Sequence, residues 1–278
     1  MDSNPELTHL YSCSRWAGTD PSQVINDYVR IGIETCEELR KEAHIEDIPY
    51  KDDANDMTRI DVWGEVSSKL VIFIHGGYWQ EGTRKLVTPA AVNLVKRGVA
   101  MAAIGFDYAS RSHPLSEVVT QVTLGVEFLL REYPNVKEVT LAGHSAGAHL
   151  AFSVAVRLKS SRIRKLVLIC GVYDLHELPL CEIGSVIGMT LDEASKNSCR
   201  AAQLVELGLH VQFLIALKDS PKLIEQNRVM VQEARELDLN LEAHEFPEHD
   251  HFSIIEALRF ENEQLTHKFV DFISGGST

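Results

Sequence analysis

The residue pattern with the clearest chemical meaning is a G-x-S-x-G pentapeptide at residues 143–147 (GHSAG). An apolar segment typical of a strand (136–142) precedes it, and an alanine-rich segment typical of a helix (146–158) follows it. A strand-to-helix turn of this kind exposes a serine hydroxyl at the end of a sheet, and small flanking residues avoid clashes with neighbouring backbone. We therefore interpret Ser145 as a nucleophile and expect the Ala146 amide, at a helix N-terminus, to stabilise an oxyanion. The alternative is a glycine-rich turn whose serine only caps the helix.

A second motif, HGGYW at residues 75–79, directly follows the apolar segment 69–74. Its two glycines let the backbone direct N–H groups into a cavity, and loops of this type supply oxyanion donors in esterases. We expect the amides of Gly77 and Tyr78 to act in this way with Ala146. The remaining motif residues that shape the loop are His75, Gly76 and Trp79. The alternative is an ordinary turn after a strand, with two aromatic residues in the core.

An acidic partner for a catalytic histidine is expected on a loop after a later strand. Asp219 follows the apolar segment 209–217 and precedes Pro221, which starts a predicted helix. A carboxylate there would accept a hydrogen bond from the histidine ring and hold the required tautomer. Asp219 could instead be an N-terminal helix cap. Its rival is Asp174, which follows the segment 165–170; we favour Asp219.

A general base is expected last in the chain, where three histidines occur close together. His244 lies within the predicted strand 239–246, and His249 and His251 follow it. We favour His251, at the start of the final predicted helix, over His249, and we expect His244 to be structural. The motif histidines, His75 and His144, are expected to form scaffold hydrogen bonds rather than to transfer protons.

The elements that must position these residues form a regular alternation along the chain. Apolar runs bounded by turn residues predict strands at 45–50, 57–63, 69–74, 99–106, 136–142, 165–170, 209–217 and 239–246. Amphipathic or buried segments predict helices at 20–43, 85–97, 114–132, 146–158, 221–237 and 253–272. This alternation predicts an α/β protein of the α/β-hydrolase fold, with a mostly parallel central sheet and helices on both faces. Ligands bind such sheets at the carboxyl ends of the strands.

The chain of 278 residues is expected to form a single domain, because no linker or internal repeat divides it. Residues 1–65 are expected to supply an N-terminal helix and edge strands. Residues 173–207 break the alternation, and we interpret them as a lid or side wall of the site.

Composition narrows the choice of partner and compartment. The formal net charge of −13 disfavours nucleic acid and anionic membranes as partners. The five cysteines are irregularly spaced and form no CxxC pair, so we expect reduced thiols and no metal. The N-terminal residues lack the features of a secretory signal, and no apolar run is long enough to span a bilayer. We therefore expect a cytoplasmic protein.

Two motifs resemble one family closely: HGGYW at 75–79 and GHSAGAHLA at 143–151 are similar to arylformamidases, also called kynurenine formamidases. The resemblance extends to YSCSRW at 11–16 and to Asp-His-Phe at 250–252, and thus covers nearly the whole chain. HGG-x-W is more specific than G-x-S-x-G, since esterases of the hormone-sensitive-lipase type carry a third glycine.

The resemblance implies a function and a site. Members of the family hydrolyse the formamide of N-formyl-L-kynurenine to L-kynurenine and formate in tryptophan breakdown. Their Ser-Asp-His triad corresponds to Ser145, Asp219 and His251. The resemblance also implies a small aromatic N-formyl substrate, no metal or other cofactor, a cytosolic location and a homodimer. Tyr78 and Trp79 then become candidates for stacking on the aryl ring of the substrate.

Two other functions remain open from the sequence. A carboxylesterase acting on small esters would use the same triad with a different pocket. A non-catalytic binding protein on the same fold usually lacks part of the triad, whereas candidates for every role are present here. Relative turnover of formylkynurenine and p-nitrophenyl esters would distinguish a formamidase from a carboxylesterase. Labelling of Ser145 by a fluorophosphonate would distinguish an enzyme from a binding protein.

Overall fold

The structure, a computed structural model, describes residues 3–275. Its centre is an eight-stranded sheet of order β1-β2-β4-β3-β5-β6-β7-β8. The strands are β1 (His44–Pro49), β2 (Arg59–Trp63), β3 (Lys69–Ile74), β4 (Ala100–Ile104), β5 (Glu138–His144), β6 (Ile163–Ile169), β7 (His210–Ala216) and β8 (Leu241–Phe246). β2 pairs antiparallel with β1 and β4, and the other neighbours are parallel. The predicted α/β fold with a mostly parallel sheet is confirmed.

Helices cover both faces of the sheet. They are α1 (Pro5–Tyr11), α2 (Pro21–Leu39), α3 (Pro89–Lys96), α4 (Leu115–Glu132), α5 (Ala146–Leu158), α6 (Glu182–Ile187), α7 (Leu191–Asn197), α8 (Pro221–Glu236), α9 (Ser253–Glu256) and α10 (Gln264–Ser274). None of the helices within residues 3–275 has the length and apolar character needed to cross a bilayer.

Strand β3 shows why its sequence is apolar throughout. Successive strand side chains point to opposite faces, so Leu70, Ile72 and Ile74 pack in the core with α4, α5 and α8. Val71 and Phe73 pack on the other face in the core with α2, α3 and α10. A strand that is buried on both faces needs a continuous apolar run. This explains the sequence of β3, which lies near the middle of the sheet and whose carboxyl end leads directly into the HGGYW motif.

The structure differs from the predicted helices at three places. The helix predicted at 85–97 starts as a 3₁₀ turn, Arg84–Val87, and α3 begins at Pro89, because proline fits the first turn of a helix. The helix predicted at 253–272 is broken between α9 and α10. Phe260 is extended there, and the Ala257 carbonyl accepts from the Phe260 amide and from the Thr266 hydroxyl. Helix α1 was not predicted, although Asn4 caps it and Pro5 starts it.

The segment predicted as a lid or side wall, 173–207, is built of short helices. It contains α6, α7 and two 3₁₀ segments, Leu178–Leu180 and Ala201–Leu207. Short helices carry too few turns to show clear periodicity, which explains why the sequence pattern there is weak.

Candidate active site

Ser145 occupies the sharp turn between β5 and α5. Its backbone has φ 58° and ψ −124°, which is a strained conformation for a residue with a side chain. The turn has no space beside it, because a Cβ at Gly143 would lie 2.1 Å from the Gly147 carbonyl oxygen. A Cβ at Gly147 would lie 2.1 Å from the Ile74 carbonyl oxygen at the end of β3. Glycine at both positions therefore allows the turn that holds the serine at the end of the sheet.

Asp219 and His251 lie together at the carboxyl end of the sheet, although they are 32 residues apart in the chain. Asp219 follows β7 and His251 follows β8, and these strands are parallel neighbours. The His251 ring donates from Nδ1 to Asp219 Oδ2 at 2.6 Å. The Ser220 amide donates to the other carboxylate oxygen at 2.5 Å. Both side chains are at least 95% buried, so this charge-assisted hydrogen bond lies out of bulk water and fixes the imidazole tautomer.

Ser145 and His251 line one cavity of about 530 Å³. Within residues 3–275 no hydrogen bond joins the Ser145 hydroxyl to His251. Such contacts are often long in unliganded enzymes and shorten when substrate binds. The arrangement leaves Nε2 of His251 available for proton transfer, because Nδ1 is engaged by Asp219.

His144 holds the backbone of His251 in place. Its Nε2–H donates to the carbonyl oxygen of His251 at 2.8 Å, and the two rings lie 4.5 Å apart between centroids. Burial, with His251 nearby, holds the pKa of His144 well below its usual value. A neutral ring is what this position needs, since a second positive charge would oppose protonation of His251.

The rival acid and bases lie elsewhere. Asp174 pairs with His176 at 2.6 Å and with Arg200 at 3.0 Å, and it is half-exposed. His244 pairs with Glu242 on β8. His249 packs edge-on against Phe246, and its carbonyl accepts from the Lys218 amide.

The HGGYW loop borders Ser145 directly. A Cβ at Gly76 would lie 2.9 Å from Cβ of Ser145, so the loop backbone fills the space beside the serine. Gly77 has φ 105°, and a Cβ there would lie 2.1 Å from the Glu81 carbonyl oxygen. Within residues 3–275, the amides of Gly77, Tyr78 and Ala146 donate to no backbone carbonyl. These three donors are the ones that the sequence pattern assigned to an oxyanion hole.

The two aromatic residues of the loop have different surroundings. Tyr78 lines the cavity, and its hydroxyl donates to the Tyr11 carbonyl oxygen at 2.8 Å. Trp79 is fully buried and packs edge-on against His149 with centroids 5.1 Å apart. Trp79 does not border the cavity, so the predicted stacking of Trp79 on a substrate ring is corrected to a role in the core.

His75 is part of the scaffold. Its Nδ1 bonds the Gly76 carbonyl oxygen at 2.8 Å, and its ring stacks on Phe106 at 4.3 Å between centroids. Burial lowers the pKa of His75 to about 4, so the ring is neutral at physiological pH.

The sequence analysis missed the N-terminal wall of the cavity, which consists of residues 12–14 and α2. Ile25, Val29 and Ile33 recur every fourth residue on one face of α2 and line the cavity. Their exposed fractions are 41%, 37% and 50%, unusual for aliphatic side chains on a helix that also has a buried face. Ile183 of α6 and Phe252 complete the apolar lining. This second apolar stripe could have revealed the wall from the sequence, because a helix needs only one apolar stripe to pack on the sheet.

A cysteine of this wall lies beside the Asp219–His251 pair. Cys13 borders the cavity and is 6% exposed. Burial, together with the nearby Asp219 carboxylate, raises the pKa of the Cys13 thiol well above its usual value. All five cysteines of the chain are free and buried.

The chain is similar to several known proteins. The BD-FAE family model matches residues 62–179. Kynurenine formamidase of Salmo salar is 30% identical over 276 residues, which are 91% of this chain and 90% of that protein. Kynurenine formamidase of Danio rerio is 29% identical over 95% of this chain and 94% of that protein. Among solved structures, a putative thioesterase from Silicibacter superimposes with a TM-score of 0.79 at 22% identity, covering 97% of this chain and 99% of that one.

Proposed function

The chain belongs to the kynurenine formamidase family, and we propose that it hydrolyses the formamide bond of N-formyl-L-kynurenine to give L-kynurenine and formate. One observation carries the chemistry: the strained Ser145 turn shares a cavity with a buried imidazole that is already oriented by a carboxylate. A nucleophile, a base and an orienting acid are the groups that acyl transfer needs. The similarity to the kynurenine formamidases of Danio rerio and Salmo salar, which extends over 95% and 91% of this chain, supports the choice of a formamide substrate.

In the proposed first step, the Ser145 hydroxyl attacks the formyl carbon while His251 takes its proton on Nε2. Asp219 stabilises the imidazolium through the Nδ1 hydrogen bond. The carbonyl electrons move to the oxygen, which binds the amides of Gly77, Tyr78 and Ala146. Each such donor typically contributes about 3–4 kcal/mol to transition-state stabilisation.

In the second step, the C–N bond breaks and His251 returns its proton to the arylamine nitrogen, which releases L-kynurenine. Water then attacks the formyl-serine, with His251 again as the base, and formate leaves as Ser145 regains its proton. The formyl group is the smallest acyl group, which suits the narrow space between the Gly76 backbone and Ser145, where even an added Cβ would be too close. Tyr78 and the apolar face of α2 are proposed to contact the aryl ring.

The test is to incubate the purified full-length protein with N-formyl-L-kynurenine and follow kynurenine absorbance. We expect Ser145→Ala to lose nearly all activity, on the order of 10⁶-fold in kcat, while its thermal unfolding stays close to that of the wild type. Ser153→Ala, a serine of α5 that lies outside the cavity, serves as the matched control and should remain active.

Two outcomes separate the alternatives. Cleavage of p-nitrophenyl acetate without turnover of N-formyl-L-kynurenine would keep the triad and assign the protein to the carboxylesterases. A wild-type protein that neither turns over these substrates nor reacts with a fluorophosphonate at Ser145 would indicate a binding protein instead.

A further inference from the structure

A thiol, a carboxylate and an imidazole meet beside the cavity. Cys13 Sγ, a carboxylate oxygen of Asp219 and a ring nitrogen of His251 all lie within 4.8 Å of one another. The three side chains are 6%, 4% and 4% exposed. The proposed mechanism uses Asp219 and His251 but gives Cys13 no task, so the presence of a thiol at this position needs its own explanation.

We propose that Cys13, Asp219 and His251 form an inhibitory site for Zn²⁺ and similar soft divalent cations, and that occupancy of this site blocks hydrolysis. Sulfur, nitrogen and oxygen donors together favour Zn²⁺, which is commonly held by three protein ligands with a water in the fourth position. Cys13 and His251 both border the cavity, which supplies the entry path and the space for that water.

The charge at the site independently favours a cation. Asp219 is a buried carboxylate, and within residues 3–275 its only basic ion-pair partner is His251. Hydrogen bonds from the His251 ring and the Ser220 amide stabilise this carboxylate, but among the described residues no lysine or arginine pairs with it, and a buried charge without such a partner is costly in a medium of low dielectric constant. A bound divalent cation would compensate that charge.

The thiol is held loosely enough to become a ligand. Its sulfur lies 3.7 Å from the Tyr11 carbonyl oxygen and 3.9 Å from the Tyr78 hydroxyl, distances typical of weak sulfur hydrogen bonds. Metal binding replaces these weak contacts by a metal–sulfur bond and releases the thiol proton to solvent, because the ligand is the thiolate.

Metal binding and catalysis exclude each other at His251, whichever ring nitrogen is the ligand. Zinc bonds of about 2.0–2.3 Å in a tetrahedral site place ligand atoms roughly 3.3–3.8 Å apart. The 2.6 Å contact between Nδ1 and Asp219 would therefore have to open if Nδ1 bound the metal. If Nε2 bound it, the lone pair that takes the serine proton in the proposed mechanism would be occupied.

The first experiment measures binding without activity. Metal-free full-length protein is titrated with Co²⁺, which forms a thiolate-to-cobalt charge-transfer band in the near ultraviolet. We expect the band in the wild type and in Cys181→Ser, a buried cysteine that lies outside the cavity, and its loss in Cys13→Ser. Absence of the band from the wild type, or its persistence in Cys13→Ser, would overturn the proposal.

The second experiment measures inhibition of p-nitrophenyl acetate cleavage by Zn²⁺, with each variant compared with its own uninhibited rate and with EDTA added for reversal. The inhibitory concentration should rise at least about tenfold in Cys13→Ser, since loss of even an outer-shell partner of a metal ligand commonly costs 10–100-fold in affinity. Equal inhibition of wild type and Cys13→Ser would show that zinc acts elsewhere and contradict the proposal.

A third measurement keeps the test decisive if Cys13→Ser fails to fold. In the wild type, Zn²⁺ should protect Cys13 from iodoacetamide, as measured by peptide mass spectrometry, and failure to protect would contradict the proposal. The inhibition arm depends on the proposed catalytic role of His251, but the cobalt band and the protection do not. A protein that gives the band yet hydrolyses nothing would therefore contradict the proposed function alone.

Discussion

The turns at the strand ends and the N-terminal wall border the same cavity but differ in packing. At the strand ends, a Cβ added at Gly143 or at Gly147 would lie only 2.1 Å from a neighbouring carbonyl oxygen. In the wall, Ile25 and Ile33 of α2 are 41% and 50% exposed, with open space before them. The difference teaches that backbone packing rigidly fixes the proposed reacting groups, whereas the surface that would contact the rest of a substrate can change without disturbing the sheet.

Among the variants that test this comparison, the largest effect is expected from the orienting carboxylate at the strand ends. Asp219→Asn should lower kcat by about 10⁴-fold, because an amide cannot hold the His251 tautomer with Nδ1 as donor. Kinetics with N-formyl-L-kynurenine, together with a thermal unfolding curve, measure this effect.

Asp174→Asn is the matched control for that variant. Asp174 follows β6, as Asp219 follows β7, but it pairs with His176 and Arg200 at a half-exposed position. Its replacement should leave kcat within a few-fold of the wild type. A large loss of kcat in Asp174→Asn with none in Asp219→Asn would reverse the proposed assignment of the acid.

The next effect tests the tightness of the serine turn. Gly147→Ala should destabilise the protein by about 1–3 kcal/mol or more, because the new methyl group would meet the Ile74 carbonyl oxygen. Gly125→Ala, in the middle of α4, is the control, since the nearest atoms to its Cβ would belong to the Ile104 and Tyr50 side chains, at 3.3 Å or more. Thermal unfolding of both variants checks the prediction, and equal stability would mean that the turn has room to relax.

Sequence alone predicted most of what depends on local packing. The glycines around Ser145 and the alternation of strands and helices were readable, because their steric and hydrophobic requirements lie within a few residues of each other. The wall was not readable in this way. One of its contacts with the loops at the strand ends joins the Cys13 sulfur to the Tyr78 hydroxyl, 65 residues apart, and no short pattern encodes such a pairing. Trp79 was misassigned for a related reason: a motif names the residues of a loop but not the direction of each side chain.

A smaller effect, on stability, is expected at Glu256, which lies where the wall meets the loop of His251. Glu256 of α9 is largely buried, and burial, with Asp250 and Asp27 nearby, raises its pKa from 4.5 to about 7. A carboxyl whose pKa is raised by folding binds its proton more tightly in the folded state, so its stabilisation is complete below about pH 4.5. That stabilisation is lost as the pH rises through about 7. Glu256→Gln should therefore unfold at a higher temperature than the wild type at pH 8 but not at pH 4.

Glu261→Gln provides the comparison for charge alone. Glu261 is exposed in the loop between α9 and α10, so its replacement removes one negative charge without removing a buried carboxylate. If both variants show the same increase in unfolding temperature over the wild type at pH 8, the cause would be the net charge of the chain and not the burial of Glu256.

The smallest effect is expected within the wall itself. Val29 is 37% exposed and lines the cavity, so a bound aryl substrate would cover only part of its side chain. Val29→Ser should raise KM for N-formyl-L-kynurenine a few-fold, within the roughly 1 kcal/mol that partial burial of an aliphatic side chain contributes, and leave kcat unchanged. Val205→Ser, another partly exposed valine that lies outside the cavity, should change neither constant. A loss of kcat in Val29→Ser with KM unchanged would mean that α2 helps to hold the reacting groups, and the division between a rigid catalytic end and a replaceable wall would fail.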